Sequence, residues 1–333
     1  GRIEDNRKIQ SSERRRKTIV IDELDAAVEE FGRDRRSAVV SPEDLKDVTL
    51  AEVIEEERAN RTEEPCVVAL SVSGMLGVEP TDGPRKTTFG RHDVLRQRVA
   101  STTHSNVHLV TNKARVFAVS TDSIEEVSGR RRGTPVSDLA ALDKGEQPLC
   151  IVAPATVDRP APLMLVSASG SVKRLEVDEV VGTPSGKPAM KLKPGDSVVA
   201  AFPAPDDSDV VLVASNAQAV RCAADAVPTQ GRGAGGVAGM KLAAGAKVVG
   251  AGLADDDSVI LTVTDSQTAK VTDAGELPTK GRNTAGLRIT KFRKEKRLEW
   301  AWVGQTDEVL VVVGQKDAPT RPDPSPEPLT IPH

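Results

Sequence analysis

From Cys66 onward the chain alternates short apolar strands with polar turns, in a pattern that recurs about every fifty residues. Each unit runs through an apolar strand, a polar turn, a second strand, a Gly-rich basic loop and an apolar anchor residue. A repeat of short strands with this period predicts a circular or stacked array, because each unit buries its apolar face on its neighbours. The loop glycines, each with the anchor six residues later, are Gly133 and Leu139, Gly186 and Leu192, Gly236 and Leu242, and Gly286 and Phe292.

Each unit is predicted to contain a β-hairpin, because apolar residues alternate on both sides of a short polar turn. Strands are also predicted between units, at Ser197–Phe202 and Ala246–Ala251. Glu308–Gly314 has the leading strand of a unit without a returning partner, as expected of an element that pairs the last blade with the first. The predicted fold is mainly β, a propeller-like array of five to six four-stranded blades. The five predicted full hairpins span Cys66–Val78, Val107–Val119, Leu163–Val177, Val210–Ala223 and Val259–Thr272.

The residues before the strands predict a short helical stub. Ser11 or Ser12 suits an N-cap, Leu24 and Val28 belong to an apolar stripe at helical spacing, and Gly32 ends the helix. We expect residues 1–40 to be the helical end of a coiled-coil region and residues 41–64 an acidic linker. The β body is expected over residues 65–316, and the Pro-rich residues 317–333 are expected to be a disordered tail.

The composition indicates which side chains form the core and which cellular compartment to expect. The apolar content comes mainly from Val, Ala and Leu, with five Phe and no Tyr, so the core must pack through small and β-branched side chains. Cys66, Cys150 and Cys222 lie far apart, which indicates free thiols in a reducing cytoplasm rather than disulfides or a zinc site. No apolar run approaches the roughly 18 residues that cross a bilayer, and the first residues are charged. We therefore expect a cytoplasmic protein without a membrane partner.

The net charge of −4 conceals a local segregation of charge. Residues 1–64 hold 13 basic and 18 acidic side chains, so the remainder is nearly neutral. Within that remainder, acids cluster at 206–209 and 255–257, whereas bases cluster at 130–132 and 291–297. A near-neutral body with one basic rim can bind a polyanion because the local field matters more than the total charge. A solvated surface of mixed sign is the alternative.

The loops place basic side chains in register from unit to unit. Bases beside exposed N–H groups form a cradle for phosphate oxygens, and one base per blade would form a curved positive track that bends duplex DNA without reading bases. The alternative is that the glycines serve tight turns between blades and the lysines keep the surface solvated. The predicted DNA-binding residues are Arg130, Arg131, Arg132, Lys173, Arg174, Lys187, Lys191, Arg221, Arg232, Lys241, Lys270, Lys280, Arg282 and Lys291.

Other kinds of site are disfavoured by the sequence. Gly231–Gly236 lacks the Lys-Ser/Thr end of a P-loop, and no helix is predicted after it. His104 and His108 flank the start of a strand, where residues four apart do not converge as they do on a helix. No Ser or Cys nucleophile is paired with a base, and the acidic clusters suit solvated loops better than a divalent ion. We expect no catalytic residue, metal or cofactor in this sequence.

Two features resemble the A subunits of bacterial type IIA topoisomerases. Residues 29–37, Glu-Glu-Phe-Gly-Arg-Asp-Arg-Arg-Ser, resemble the junction that follows the coiled-coil helices of those subunits. The repeats resemble the β-pinwheel, the DNA-wrapping C-terminal domain of the gyrase and topoisomerase IV A subunits. The order of stub, linker and pinwheel covers nearly the whole chain.

The resemblance implies a domain that binds and bends double-stranded DNA and presents a segment for ATP-dependent strand passage near the nucleoid. It also implies an A-subunit homodimer and a B subunit that uses ATP and Mg²⁺ elsewhere in the holoenzyme. In this family an upstream tyrosine cuts DNA. Because the sequence contains no Tyr, the implied role is a non-catalytic part of an isomerase.

One motif distinguishes the two branches of this family. Gyrase A subunits carry a Gln-Arg-Arg-Gly-Gly-Lys/Arg-Gly box in the first blade, which that family needs for full wrapping and negative supercoiling. Residues 90–98 stand after the first hairpin and have no glycine cluster, while the nearest likeness, residues 230–236, lies in the fourth repeat. This favours the topoisomerase IV branch, meaning relaxation and decatenation, with gyrase as the alternative.

Two other classes of protein are alternatives to this one. A propeller scaffold for protein partners predicts an exposed apolar or aromatic patch, and the scarcity of aromatic residues counts against it. A hydrolase on a propeller would need a catalytic constellation that the sequence lacks.

Overall fold

The structure is a computed structural model that describes residues 2–31, 62–81, 89, 93, 95–127, 132–153 and 160–305. The chain divides into two compact units, Gly1–Arg61 and Thr62–His333. Most of the predicted linker at 41–64, the predicted closing strand Glu308–Gly314 and the predicted tail at 317–333 lie outside the described residues.

The first unit contains two helices, α1 (Arg2–Ser11) and α2 (Glu13–Phe31). The break falls at a predicted N-cap, where the Ser12 hydroxyl accepts a hydrogen bond from the Arg15 N–H at 3.4 Å. The helical stub is therefore confirmed. Of the helices that the structure describes, none is both long and apolar enough to cross a membrane.

The described part of the second unit is built from short strands, with two short α-helices, α3 (Val136–Leu139) and α4 (Val177–Val181). It also contains three 3-10 helices, Thr121–Ser123, Ala224–Ala226 and Ala274–Glu276. In chain order the strands are β1 Pro65–Ser71, β2 Met75–Pro80, β3 Leu95–Thr102, β4 Asn106–Thr111, β5 Arg115–Ser120, β6 Thr134–Pro135, β7 Pro148–Val152, β8 Leu163–Ser167, β9 Ser171–Leu175, β10 Lys187–Pro188, β11 Val198–Pro203, β12 Asp209–Ala214, β13 Gln218–Ala223, β14 Val237–Ala238, β15 Val248–Ala254, β16 Ser258–Thr264, β17 Ala269–Asp273, β18 Leu287–Arg288 and β19 Leu298–Gln305.

These strands form five antiparallel sheets, which we number as blades 1 to 5 in chain order. The strand orders are β3-β1-β2-β6, β10-β5-β4-β7, β11-β8-β9-β14, β15-β12-β13-β18 and β17-β16-β19. Each blade is built on one of the five predicted hairpins, so the mainly β, bladed fold is confirmed. Blade 5 has three strands among the described residues.

The fourth strand of blades 1 to 4 comes from the following repeat. In blade 3, for example, Val237 of β14 pairs with Val172, and Ala238 pairs with Ser171. These two-residue strands directly follow the loop glycines, in segments where the sequence analysis predicted no strand. Because each repeat donates a strand to the blade before it, neighbouring blades are joined by backbone hydrogen bonds as well as by side-chain packing.

Most of the core lies between blades and consists mainly of aliphatic side chains. Leu165 and Leu175 of blade 3 pack with Val110 and Val116 of blade 2 and with Met190. All five residues of β8 are buried, because both faces of the sheet are covered. Val and Ala make up most of the buried apolar residues that the structure describes, as predicted for a core of small and β-branched side chains.

A side chain also joins blades 1 and 2. The Gln97 amide donates to the Ile151 carbonyl at 3.0 Å and accepts from the Ile151 N–H at 2.8 Å. It thereby satisfies backbone groups of the outer strand β7 that would otherwise form an open sheet edge.

Candidate nucleic-acid interface

The glycines that end the loops lie where each donated strand meets the preceding blade. At Gly236 and Gly286 φ is +81° and +75°, and a Cβ would lie 2.4 and 2.3 Å from the carbonyl oxygens of Val172 and Ala219. Only glycine fits such a left-handed and crowded backbone. Of the two roles considered for these glycines, the structure therefore supports close packing between blades.

The lysines that precede the anchors contact the basic loop of the next repeat through their backbone. The Lys191 N–H donates to the Ala234 carbonyl at 3.1 Å, and the Lys241 N–H donates to the Thr284 carbonyl at 2.9 Å. The backbone of each of these two lysines therefore lies beside the basic loop of the next repeat, so the basic residues of consecutive repeats form a row. We call this row, with the exposed cations around it, the basic rim.

Six of the predicted DNA-binding side chains are exposed and have no hydrogen-bond or ion-pair partner among the described residues. Their charged ends are free to bind an anion. Two others, Arg130 and Arg131, lie outside the described residues. The six exposed side chains are Arg132, Lys187, Lys191, Lys241, Lys280 and Lys291.

Three further predicted residues reach the surface but are held by protein groups. Arg232 forms an ion pair with Glu179 at 3.1 Å. Arg282 donates to two backbone carbonyl oxygens, at 3.0 and 3.2 Å. The Lys270 ammonium donates to the Ile289 carbonyl at 2.6 Å. These charges add to the field of the rim, but their orientation is already fixed.

Lys173 is fully buried, so the prediction that it contacts DNA is wrong. Its ammonium donates to the carbonyl oxygens of Ala189, Gly231, Arg232 and Ala234 at 2.7, 2.8, 3.2 and 3.2 Å. Burial lowers the pKa of Lys173 to about 8, so the ammonium is still the main form at neutral pH. This lysine therefore binds the loop of the next repeat from beneath.

The prediction also fails for Arg174 and Arg221, which are 6% and 8% exposed. Arg174 forms an ion pair with Asp206, and Arg221 pairs with Asp209 at 2.7 Å and Asp256 at 2.9 Å. The acidic clusters that were predicted as solvated loops thus supply the counter-ions of two buried arginines. Pairing of this kind offsets the desolvation cost of a buried charge.

Sequence reasoning missed a buried ion pair in blade 2. The Arg115 guanidinium lies 2.7 Å from the Glu146 carboxylate, which is buried and also accepts the Thr111 hydroxyl at 2.6 Å and the Asp143 N–H at 3.0 Å. Arg115 also donates to the carbonyl of Gly186, in the loop of the next repeat, at 2.9 Å. A base directly after the hairpin turn was the available signal, but its acidic partner lies 31 residues further along the chain.

Of the remaining candidates for chemistry, His108 and the three cysteines are buried, whereas His104 is partly exposed. His108 is 4% exposed, and burial lowers the pKa of its imidazole. Burial raises the pKa of Cys150 to about 12 and that of Cys222 to about 11, so both are thiols at neutral pH. All three cysteines are free. The described ranges contain no group of three or more His, Cys, Asp or Glu side chains arranged to hold a metal ion.

Three of these repeats match a known protein family. Residues 161–205, 208–255 and 258–298 match the family model described as DNA gyrase C-terminal domain, beta-propeller. The three matched segments are the repeats whose hairpins form blades 3, 4 and 5, and they are similar to that family. The described body is therefore a β-pinwheel of the class found in the A subunits of type IIA topoisomerases, as the sequence resemblance predicted.

Individual relatives are gyrase A subunits. The chain is 26% identical over 239 residues to the gyrase A protein of Mycobacterium leprae, a match that covers 68% of this chain and 18% of the relative. It is 27% identical over 278 residues to the gyrase A protein of Pseudomonas aeruginosa, covering 66% of this chain and 29% of the relative. The chain thus matches less than a third of the length of these relatives.

Solved structures show the same fold. The crystal structure of the C-terminal domain of DNA topoisomerase IV superposes with a TM-score of 0.65 at 20% identity, covering 74% of this chain and 79% of that one. The C-terminal domain of E. coli ParC gives a TM-score of 0.57 at 14% identity, covering 73% and 99%. At these identities the likeness defines the fold, and the function is argued from the rim.

Proposed function

We propose that this chain is the DNA-binding and DNA-bending pinwheel of a type IIA topoisomerase A subunit. The observation that carries the proposal is the row of exposed cations without partners along repeats that are joined by backbone hydrogen bonds. Lys191 and Lys241 lie on consecutive repeats, each beside the next basic loop. Such a row supplies regularly spaced charges along a curved surface.

The rim suits the phosphate backbone rather than the bases. Lysine ammonium groups neutralise phosphates without reading sequence, and each neutralised phosphate releases condensed counter-ions. About six to ten contacts would give a slope of roughly −5 to −9 for log K against log salt concentration on duplex DNA. A curved row of contacts stabilises bent DNA, and the contacts offset the elastic cost of bending, on the order of 1–6 kcal/mol for 20–30 base pairs.

In the holoenzyme this domain would present a DNA segment for strand passage. We propose that the tyrosine that cuts DNA lies elsewhere in the A subunit, because this sequence contains no Tyr. The A subunit would act as a homodimer, together with a B subunit that holds the ATP and Mg²⁺ site. The domain itself would act without a cofactor, near the nucleoid in the cytoplasm.

Between the two branches we favour topoisomerase IV, hence relaxation and decatenation. The basis is the missing glycine cluster at residues 90–98, where the family's box would be expected. Gyrase is the second candidate, and the gyrase A proteins among the similar sequences favour it.

A measurement of DNA topology tests both the DNA-binding function and the choice between topoisomerase IV and gyrase. Nicked circular DNA is ligated with increasing amounts of the chain, and the linking number is measured after removal of the protein. We expect binding with little or no shift in linking number, because bending without a complete chiral wrap traps no supercoils. A steady shift would favour gyrase-like wrapping, and an absence of DNA binding in the same samples would overturn the proposed function.

A further inference from the structure

The loop at residues 231–236 is organised differently from the equivalent loop of the next repeat, 281–286. In the later loop, the Asn283 N–H donates to the Gly239 carbonyl at 2.7 Å. Fifty residues earlier, the corresponding carbonyl, that of Ala189, instead accepts the Lys173 ammonium at 2.7 Å. The residue equivalent to Asn283 is Gly233, whose N–H has no acceptor in the part of the chain that the structure describes.

Loop 231–236 is thus held by the Lys173 ammonium through its carbonyl groups. Its ammonium takes three loop carbonyls, those of Gly231, Arg232 and Ala234, in addition to that of Ala189. The hairpin of the next blade can be aligned on the residue whose carbonyl accepts the turn hydrogen bond. This alignment places Val220 at the position that Lys173 occupies in blade 3. Because valine has no ammonium group, the side chain at this position cannot bind the carbonyls of loop 281–286.

The loop is left with a surplus of unpaired donors at the surface. The N–H groups of Gly231, Arg232, Gly233 and Gly235 have no acceptor among the described residues, and all four residues are exposed. The Ala234 N–H closes a turn onto the Gly231 carbonyl at 3.0 Å. Successive free N–H groups in a turn, with their carbonyls held on the other side, form the kind of concavity that binds anions.

The charges around the loop are mainly positive. Lys173 lies beneath it, and an open groove of about 520 Å³ beside it is lined by Lys191, Lys193, Asp196 and Gly235, among others. Glu179 also approaches the loop, but it is paired with the Arg232 guanidinium at 3.1 Å. The Asp196 carboxylate accepts the Ser169 N–H at 3.0 Å and the Ser169 hydroxyl at 2.6 Å.

We propose that loop 231–236 is a phosphate-binding nest of backbone N–H groups, shaped from beneath by the buried ammonium of Lys173. Its ligand is a phosphodiester group of duplex DNA, so this inference rests on the proposed function. Lys173 is a positioning residue, because it acts on DNA only through the loop. Loop 281–286, which lacks such an ammonium, binds phosphate less well.

Backbone amide resonances measure the nest directly. In ¹⁵N-labelled protein the amides of Gly231, Gly233 and Gly235 are followed during titration with inorganic phosphate and, separately, with a 20-base-pair duplex. We expect all three to shift with both probes, because hydrogen bonding to phosphate deshields an amide proton. The Asn283 amide, already bonded to a carbonyl, is expected to stay in place with inorganic phosphate and serves as the internal reference.

Two sets of variants separate positioning from charge. Lys173→Met removes the ammonium, and we expect it to abolish the phosphate-dependent shifts; Lys247→Met removes one exposed positive charge and is expected to preserve them. Arg232→Pro removes one N–H at a turn position that tolerates proline, and Arg232→Ala removes the same side chain but keeps the N–H. Because one charge-assisted hydrogen bond is lost, we expect phosphate affinity to be about tenfold weaker in the Pro variant than in the Ala variant.

The outcomes distinguish this inference from the proposed function. If the duplex binds while the three glycine amides stay unmoved with both probes, the nest is wrong and the DNA-binding function stands. If phosphate shifts the loop but no duplex binds, the nest is an anion site and the proposed function is wrong. If shifts persist in well-folded Lys173→Met, or if the Pro and Ala variants bind phosphate equally, the positioning role is overturned.

Discussion

Replacing Gly236 by Ala tests the strand exchange that joins the blades. The new Cβ would lie 2.4 Å from the Val172 carbonyl oxygen, on a residue whose φ is +81°. Forcing alanine into a left-handed backbone costs about 1–2 kcal/mol. Relief of the collision separates β14 from β9 and weakens the pairs Val237–Val172 and Ala238–Ser171, at about 0.5–1.5 kcal/mol for each hydrogen bond. We therefore expect the free energy of unfolding to fall by about 3 kcal/mol.

The matched control is Gly281→Ala, the same chemical change at a glycine with open space around its Cβ position and no left-handed φ. The stability of both variants is measured by urea unfolding. The slope of the unfolding free energy against urea concentration must be the same for both, so that a shift of the midpoint reports a change in stability. The control is expected to unfold at the same urea concentration as the parent or at a slightly higher one, because alanine reduces the conformational entropy of the unfolded chain. Equal stability of the two variants would refute the assignment of Gly236 to close packing between blades.

Two further changes test the buried polar groups. Glu146→Ala leaves Arg115 without its buried carboxylate, and we expect a loss of roughly 3 kcal/mol in urea unfolding; a loss too small to measure would contradict the ion pair's role. Between pH 7 and 9, the stability of the parent relative to Lys173→Met is expected to rise by about 1 kcal/mol. Because burial lowers the pKa of Lys173 to about 8 in the native state, the native protein loses this proton at a lower pH than the unfolded chain does, and its stability therefore rises with pH. Thermal or urea unfolding in which the stability difference between the parent and Lys173→Met stays constant or falls with pH would contradict this burial.

The hairpins were predictable because their signal is local. Period-two alternation on both sides of a polar turn is contained within about fifteen residues, as in Val107–Val119, which the structure resolves into β4 and β5. The donated strands were not predictable for the opposite reason. A two-residue strand such as β14 has no periodicity, and its partner, Val172, lies more than sixty residues earlier in the chain.

The exposure of the candidate DNA-binding side chains was predicted in part. Lys191 and Lys241 occupy the same place in successive repeats, and both are exposed as expected. Lys173 and Arg221 also looked like surface bases, but they lie in strands covered on both faces, where alternation no longer separates inside from outside. Their burial depends on carbonyl and carboxylate partners from neighbouring repeats, such as Asp256, which no single-repeat pattern reveals.

The salt dependence of DNA binding in a rim variant tests the central claim most directly. Lys191, Lys241 and Lys291 are changed together to Glu, and binding of a 30-base-pair duplex is measured by fluorescence anisotropy across a range of salt concentrations. Loss of three phosphate contacts is expected to reduce the slope of log K against log salt by about 3 and to weaken binding at every salt concentration.

The charge-matched control reverses Arg7, Lys8 and Arg14, exposed bases of the helical stub. We expect this control to keep the parent's slope. If the rim variant binds the duplex with the parent's affinity and slope, the lysine row is only a solvated surface, and the proposed DNA-binding rim is wrong.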